Sequence, residues 1–185
     1  MSSEIVEEII NMIYICAKRE RIFELIQICK DTNANIFGNF IRDSIAGIKP
    51  DDINIVVSEL FFNKFKNKMF NNGYNIIKPL WEDDRYKFVC EDKLDVEVTL
   101  VNDISEQIIF DTFETPDFDI NLLVFDVKQG KIYNYMNPDE DIRNIVKSIK
   151  NMKATYLRLL DNDLRLKDYK IKKLIDKGYI LYNIF

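Results

Sequence analysis

The chain has 185 residues, 47% of them hydrophobic and 12% aromatic, and a net charge of −5. That is enough for one domain with a real core, and too apolar for a long disordered segment. There is no histidine, which excludes Ser-His and Cys-His nucleophiles and His-ligated zinc, and leaves carboxylates, lysines, tyrosines or an oxygen-held metal for any catalysis.

The first thirty residues carry a helical repeat. Ile5, Ile9 and Ile13 recur at four, and Ile22, Phe23, Ile26 and Cys29 continue it after a charged break. Ala34–Phe37 reads as a short strand, and Gly38-Asn39 as a turn whose asparagine caps a helix over 40–46. Gly47 ends that helix. Arg42 and Asp43 are adjacent on it and are not expected to face each other. Pro50-Asp51 lead into a strand over 53–58. A helix marked by Leu60, Phe61, Phe65 and Met69 follows and stops at Asn71-Asn72-Gly73.

Three strand-like runs come next, Tyr74–Ile77, Arg85–Cys90 and Leu94–Val101, then an apolar run over 120–127 and a turn at Gly130-Lys131. Pro138 suits a first helical turn, with Asp139, Glu140 and Asp141 at the positive end of the dipole. Ile142, Ile145, Val146 and Ile149 give its apolar stripe, and further helices are predicted over 151–160 and 167–177. The division expected is N-terminal helices (1–33), a sheet-bearing head (34–137) and a C-terminal helical extension (138–185) on one compact body. The fold class is α+β, a mixed sheet with flanking helices.

Charge is distributed unevenly. Residues 143–178 hold eleven Lys or Arg against four Asp, a local +7, which leaves −12 elsewhere. This stretch is either a phosphate-contacting arm or a solvated lysine-rich helix face. Cys16, Cys29 and Cys90 are odd in number and far apart, so they read as reduced core residues. No apolar run reaches the roughly 20 residues that span a bilayer. Glu4, Glu7 and Glu8 are wrong for a secretory leader, so the expected location is cytoplasmic.

The acids carry the chemistry. On a strand with a side-chain period of two, Asp52 and Asn54 share a face, as do Asp95, Glu97 and Thr99. If the two strands neighbour each other, the four polar residues at 52, 54, 95 and 97 converge on one patch. Such a patch holds Mg²⁺ or Mn²⁺, or is an ordinary solvent-facing set of acids.

These motifs, taken in order, resemble the head domain of the nucleotidyltransferase superfamily, in its poly(A) polymerase and CCA-adding tRNA nucleotidyltransferase branch. The family pattern is strand, Gly-Gly or Gly-Ser, x-x-Arg-Asp, helix, Gly, then Pro-x-Asp-x-Asp. It is matched by Gly38-Asn39-Phe40-Ile41-Arg42-Asp43, Gly47 and Pro50-Asp51-Asp52-Ile53-Asn54. Val96-Glu97-Val98-Thr99 resembles the context of the third family acid, and Asp117-Phe118-Asp119-Ile120-Asn121 an Asp-Phe-Thr-Ile-Asn segment. Gly130-Lys131-Ile132 and Asp139–Arg143 resemble a Gly-x-Ile and a later acidic stretch ending in Ile-Arg.

The resemblance covers about residues 34–145. It implies a mixed sheet with helices on one face, and transfer of a nucleoside monophosphate from an NTP to an RNA 3′-hydroxyl with Mg²⁺ or Mn²⁺. By the match, Gly38 and Asn39 would line the triphosphate, and Asp117 and Asn121 would lie near the nucleotide; Arg42 is a further nucleotide-binding candidate, or an anchor of its helix to the sheet. Asp52 and Glu97 would bind metal, with Asp95 a further candidate.

The chain departs from the family at Asn39, at Asn54 in place of the second metal-binding Asp, and at Asn102, where an Arg often follows the third acid. Its 185 residues leave no room for tRNA-holding body and tail domains. The short form and the excess of Ile, Asn, Lys and Asp are similar to the nucleotidyltransferase-like proteins of large DNA viruses of amoebae, which implies the host cytoplasm. The function expected is a catalytically degenerate fold that binds a nucleotide, RNA (through 143–178) or a protein partner. The alternatives are an active Mg-dependent nucleotidyltransferase and a purely structural interface.

Overall fold

A computed structural model describes residues 3–77, 84–102, 117–157 and 164–183. The helices are α1 (Ser3–Arg19), α2 (Phe23–Asp31), α3 (Asn39–Ala46), α4 (Glu59–Asn71), α5 (Arg143–Lys150) and α6 (Leu164–Asp176). The strands are β1 (Asn35–Phe37), β2 (Asp52–Ser58), β3 (Asn75–Ile77), β4 (Arg85–Val89), β5 (Asp95–Val101), β6 (Leu123–Asp126), β7 (Lys131–Asn134), β8 (Lys153–Thr155) and β9 (Ile180–Tyr182). A 3₁₀ turn covers Asp119–Asn121.

Seven strands form one mixed sheet in the order β3-β4-β5-β2-β1-β6-β7. Only β2 and β5 run parallel; the other neighbours are antiparallel. Alternation sorts the two faces, because residues paired across strands point the same way. Ile36, Ile53, Ile55, Phe88, Val96, Val98, Phe125 and Ile132 share one face, and each is buried. The helices cover that face: Phe65 of α4 meets Phe88 edge-on at 5.8 Å. Phe40, Ile41 and Ile45 bury the inner side of α3, and α1 packs on α3. The opposite face presents Asp52, Asn54, Asp95, Glu97, Thr99, Lys87 and Arg85.

The C-terminal region departs from the expected run of helices. Pro138–Ile142 precede α5 instead of starting it. The helix predicted over 151–160 is a strand at Lys153–Thr155, which pairs in parallel with β9. Met152 stands at φ 54°, left-handed backbone that stops a helix from running through. Ala154 and Tyr156 point inward while Lys153 is exposed, which is a strand alternation. Among the described residues no helix is long and apolar enough to cross a membrane.

Candidate functional site

The parallel pairing of β2 and β5 sets the acidic patch. Asp52 stands opposite Asp95, and Asn54 opposite Glu97, so all four project from one face. Asn54 Nδ2 lies 3.3 Å from Asp52 Oδ1 and donates to it. Lys173 Nζ stands 3.4 Å from Asp52 Oδ2 and 3.1 Å from Asp51 Oδ2. Lys87 Nζ pairs with Asp95 Oδ2 at 2.7 Å, and that hydrogen bond raises the Lys87 ammonium above its ordinary value.

Glu97 forms no ion pair among the described residues. Its side chain reaches solvent, yet surrounding protein atoms partly desolvate the carboxyl, and the charge of Asp52 adds to this. Both effects hold its pKa above the usual glutamate value.

Beside this patch lies the turn between β1 and α3. Gly38 sits at φ 70° and ψ −128°, backbone open to glycine and strained for any other residue. A Cβ there would meet nothing within 4 Å, although Gly38 itself is buried and its N–H donates to Leu123 O at 3.1 Å. Asn39 does not cap α3; it is the first helical residue, and no side-chain cap bond forms. Its Oδ1 instead accepts from Arg42 Nη1 at 3.0 Å, and Asn121 Oδ1 accepts from the same nitrogen at 3.0 Å. Arg42 thus draws the glycine turn and the 119–121 segment together.

Arg42 and Asp43 do face each other. Arg42 Nη2 lies 2.6 Å from Asp43 Oδ1, with both side chains buried. Adjacent helical residues leave the axis about 100° apart, but the long guanidinium stem curls back, and burial leaves it no water to prefer. Lys177 Nζ completes the group at 2.6 Å from Asp43 Oδ2. Asp117, expected near the nucleotide, is held by Lys170 at 2.8 Å.

Lys170, Lys173 and Lys177 are site residues that reading the sequence missed. They lie on α6 and just past its end, at i, i+3 and i+7, and all meet acids of the chain itself. The spacing was the available signal: it sets one lysine stripe along a helix. At these three positions the basic region turns inward, because buried and half-buried carboxylates attract the ammonium groups more strongly than solvent does.

The donor set does not fit a two-metal centre. One Asp52 oxygen accepts an amide N–H, the other faces an ammonium, and Asp95 is paired. No group of three or more Asp, Glu or Cys side chains among the described residues is arranged to hold a metal ion. A separate cleft of about 600 Å³, lined by Lys18, Arg21, Phe23, Glu24, Asn72 and Lys93, shares no residue with this site.

No protein-family model matches the chain, and no curated protein does. Solved structures do match. A CCA-adding enzyme in complex with ATP superposes with a TM-score of 0.64 at 16% identity, covering 91% of this chain and 42% of that one. The Thermotoga maritima CCA-adding enzyme complexed with tRNA gives 0.59 at 16% identity, over 88% and 40%. A tRNA nucleotidyltransferase with a primer tRNA and an incoming ATP analogue gives 0.53 at 18%, over 86% and 47%. The chain spans less than half the length of each. With the sheet order and the motif positions above, these likenesses establish a nucleotidyltransferase-like fold.

Proposed function

We propose that this chain binds a nucleotide on a nucleotidyltransferase-like fold without transferring it. One observation carries the reading: Asn54 donates its amide N–H to Asp52. Two-metal transfer needs carboxylates that bridge cations roughly 3.5–4 Å apart. An amide offers one neutral oxygen, and here its nitrogen faces the acid. Loss of a metal carboxylate costs several kcal/mol of transition-state stabilisation, where about 1.4 kcal/mol is tenfold in rate.

The binding half of the site is better provided. Gly38 makes the turn into α3, with room beside its Cα, and Asn39, Arg42 and Asn121 form a linked polar group next to it. The Gly38 N–H is spent on Leu123 O, but the first N–H groups of α3 have no intrahelical acceptor, and phosphates are held by such helix N-termini with nearby cations. Solved proteins of this fold are complexed with CTP, ATP and tRNA, which supports a nucleotide as the ligand and RNA as a further one.

Equilibrium dialysis against labelled ATP tests this. Wild type retains ATP, and Asn39→Ala with Asn121→Ala weakens retention by about tenfold, the loss of about 1.4 kcal/mol of contact. No retention by folded wild type overturns the nucleotide reading.

An active Mg²⁺-dependent nucleotidyltransferase is the second reading. One observation favours it: Asp95 stands across from Asp52 on the same face, where its carboxylate would replace the one Asn54 lacks. It requires Lys87 to release Asp95.

A further inference from the structure

We propose that Lys173 is a tethered cation standing in for a divalent metal at Asp52, so that this site works metal-free. The inference extends the nucleotide reading and rests on it only in its second test.

α6 is fixed at its C-terminal end. Lys177 reaches Asp43, which is fully buried and already paired with Arg42. An exposed lysine pair contributes little and specifies little, but a pair closed over a buried carboxylate is costly to break. Lys177 also meets Asp51 at 2.8 Å. This anchor sets the helix register. Lys173 lies one helical turn earlier and therefore falls beside Asp51 and Asp52. Lys170 falls beside Asp117. The stripe docks at three places, and its middle member stands at Asp52, the acid to which the family resemblance would assign a metal.

Charge closes the case. Asp43, Asp51, Asp52, Asp95, Glu97 and Asp117 put six carboxylates in the region, and Arg42, Arg85, Lys87, Lys170, Lys173 and Lys177 set six cations against them. A carboxylate cluster attracts a divalent ion because its own repulsion is unrelieved. Here the relief comes from the chain. A divalent ion at Asp52 must displace an ammonium tied through the backbone to two further ion pairs. Asn54 fits the same design: a neutral side chain that donates to Asp52 stabilises the acid without inviting a second cation.

Mn²⁺ alone is the probe, read by loss of the free-ion paramagnetic resonance signal. Wild type leaves the signal intact. Lys173→Gln combined with Asn54→Asp depletes it, with affinity at least about tenfold above wild type. Circular dichroism checks each variant, and Lys173→Met, which keeps the stem, replaces Lys173→Gln if the latter fails to fold. Wild type taking up Mn²⁺ as tightly as the double variant overturns the proposal. So does a folded double variant that takes up none, since Lys173 then excludes nothing.

In the second arm a fluorescent ATP analogue is titrated into wild type in EDTA and in Mg²⁺. Equal affinity is expected, and binding only with Mg²⁺ overturns the proposal. Binding in neither condition contradicts the nucleotide reading alone, and the Mn²⁺ arm then decides the role of Lys173.

Discussion

Arg42 and Asp43 are neighbours in sequence and partners in space, 2.6 Å apart and closed off from solvent. Lys177 approaches the same carboxylate from the far end of the chain. This carboxylate joins α3 to α6, and Arg42 joins it in turn to the glycine turn and to Asn121. Asp43→Ala leaves the buried Arg42 without its carboxylate and leaves Lys177 with Asp51 alone. The expected loss is about 3–5 kcal/mol, read from urea unfolding midpoints. A loss below about 1 kcal/mol would show that solvent reaches the site.

Glu97 gives a pH signature. Its pKa is raised in the folded state, so the native protein binds more protons than the unfolded chain between the two values. Stability therefore falls as pH rises through that window. Glu97→Gln is expected to stabilise the protein at neutral pH, and the gain should vanish below the ordinary glutamate pKa. Thermal unfolding across pH checks the sign.

Asp51 behaves in the opposite sense, while its partner Lys173 shares the sign of Glu97 in the alkaline range. Burial works against both charges, but the partners outweigh it: Lys177 and Lys173 lower Asp51, while Asp52 and Asp51 raise Lys173. The Asp51 contribution is present above its unfolded pKa and is lost as acid carries pH through the lowered folded value. The Lys173 contribution is present below its unfolded pKa and is lost as pH rises through the raised one. Asp51→Asn should flatten the acid limb of the stability profile, and Lys173→Gln the alkaline limb.

Gly38→Ala separates space from backbone. Nothing lies within 4 Å of the added Cβ, so no clash arises. The cost is conformational, about 1–3 kcal/mol, because φ 70° with ψ −128° suits glycine alone. A fall in thermal midpoint with no change in the far-UV spectrum is the expected result.

The part of this site legible in the sequence was the part written in alternation and punctuation. Period-two polar residues at 52 and 54 and at 95 and 97 fall on one face of each strand, and glycines at 38 and 47 marked the ends of α3. Which strands lie side by side depends on pairing across some forty residues, and alternation is silent on that. The pairing of β2 with β5 came from the fold resemblance and the structure. The reach of Arg42 to Asp43 was misjudged because helix geometry describes where side chains leave the backbone, and burial decides where a long one ends. The lysines of α6 were visible as charge. Their acid partners lie between 53 and 134 residues away, a distance that local patterning does not span. A helix is expected over 151–160 as a continuation of the helical pattern from 138; across its described part, 151–157, tertiary pairing with β9 won.

The most direct test of the account follows nucleotide and product in one sample. Wild type is given ATP labelled on the α-phosphate, Mg²⁺ and an RNA primer, and both retained ATP and released pyrophosphate are measured. The account predicts retained ATP, no pyrophosphate and no label in RNA. Pyrophosphate release with label in RNA, abolished by Asp52→Asn, would contradict it and make this chain a working transferase.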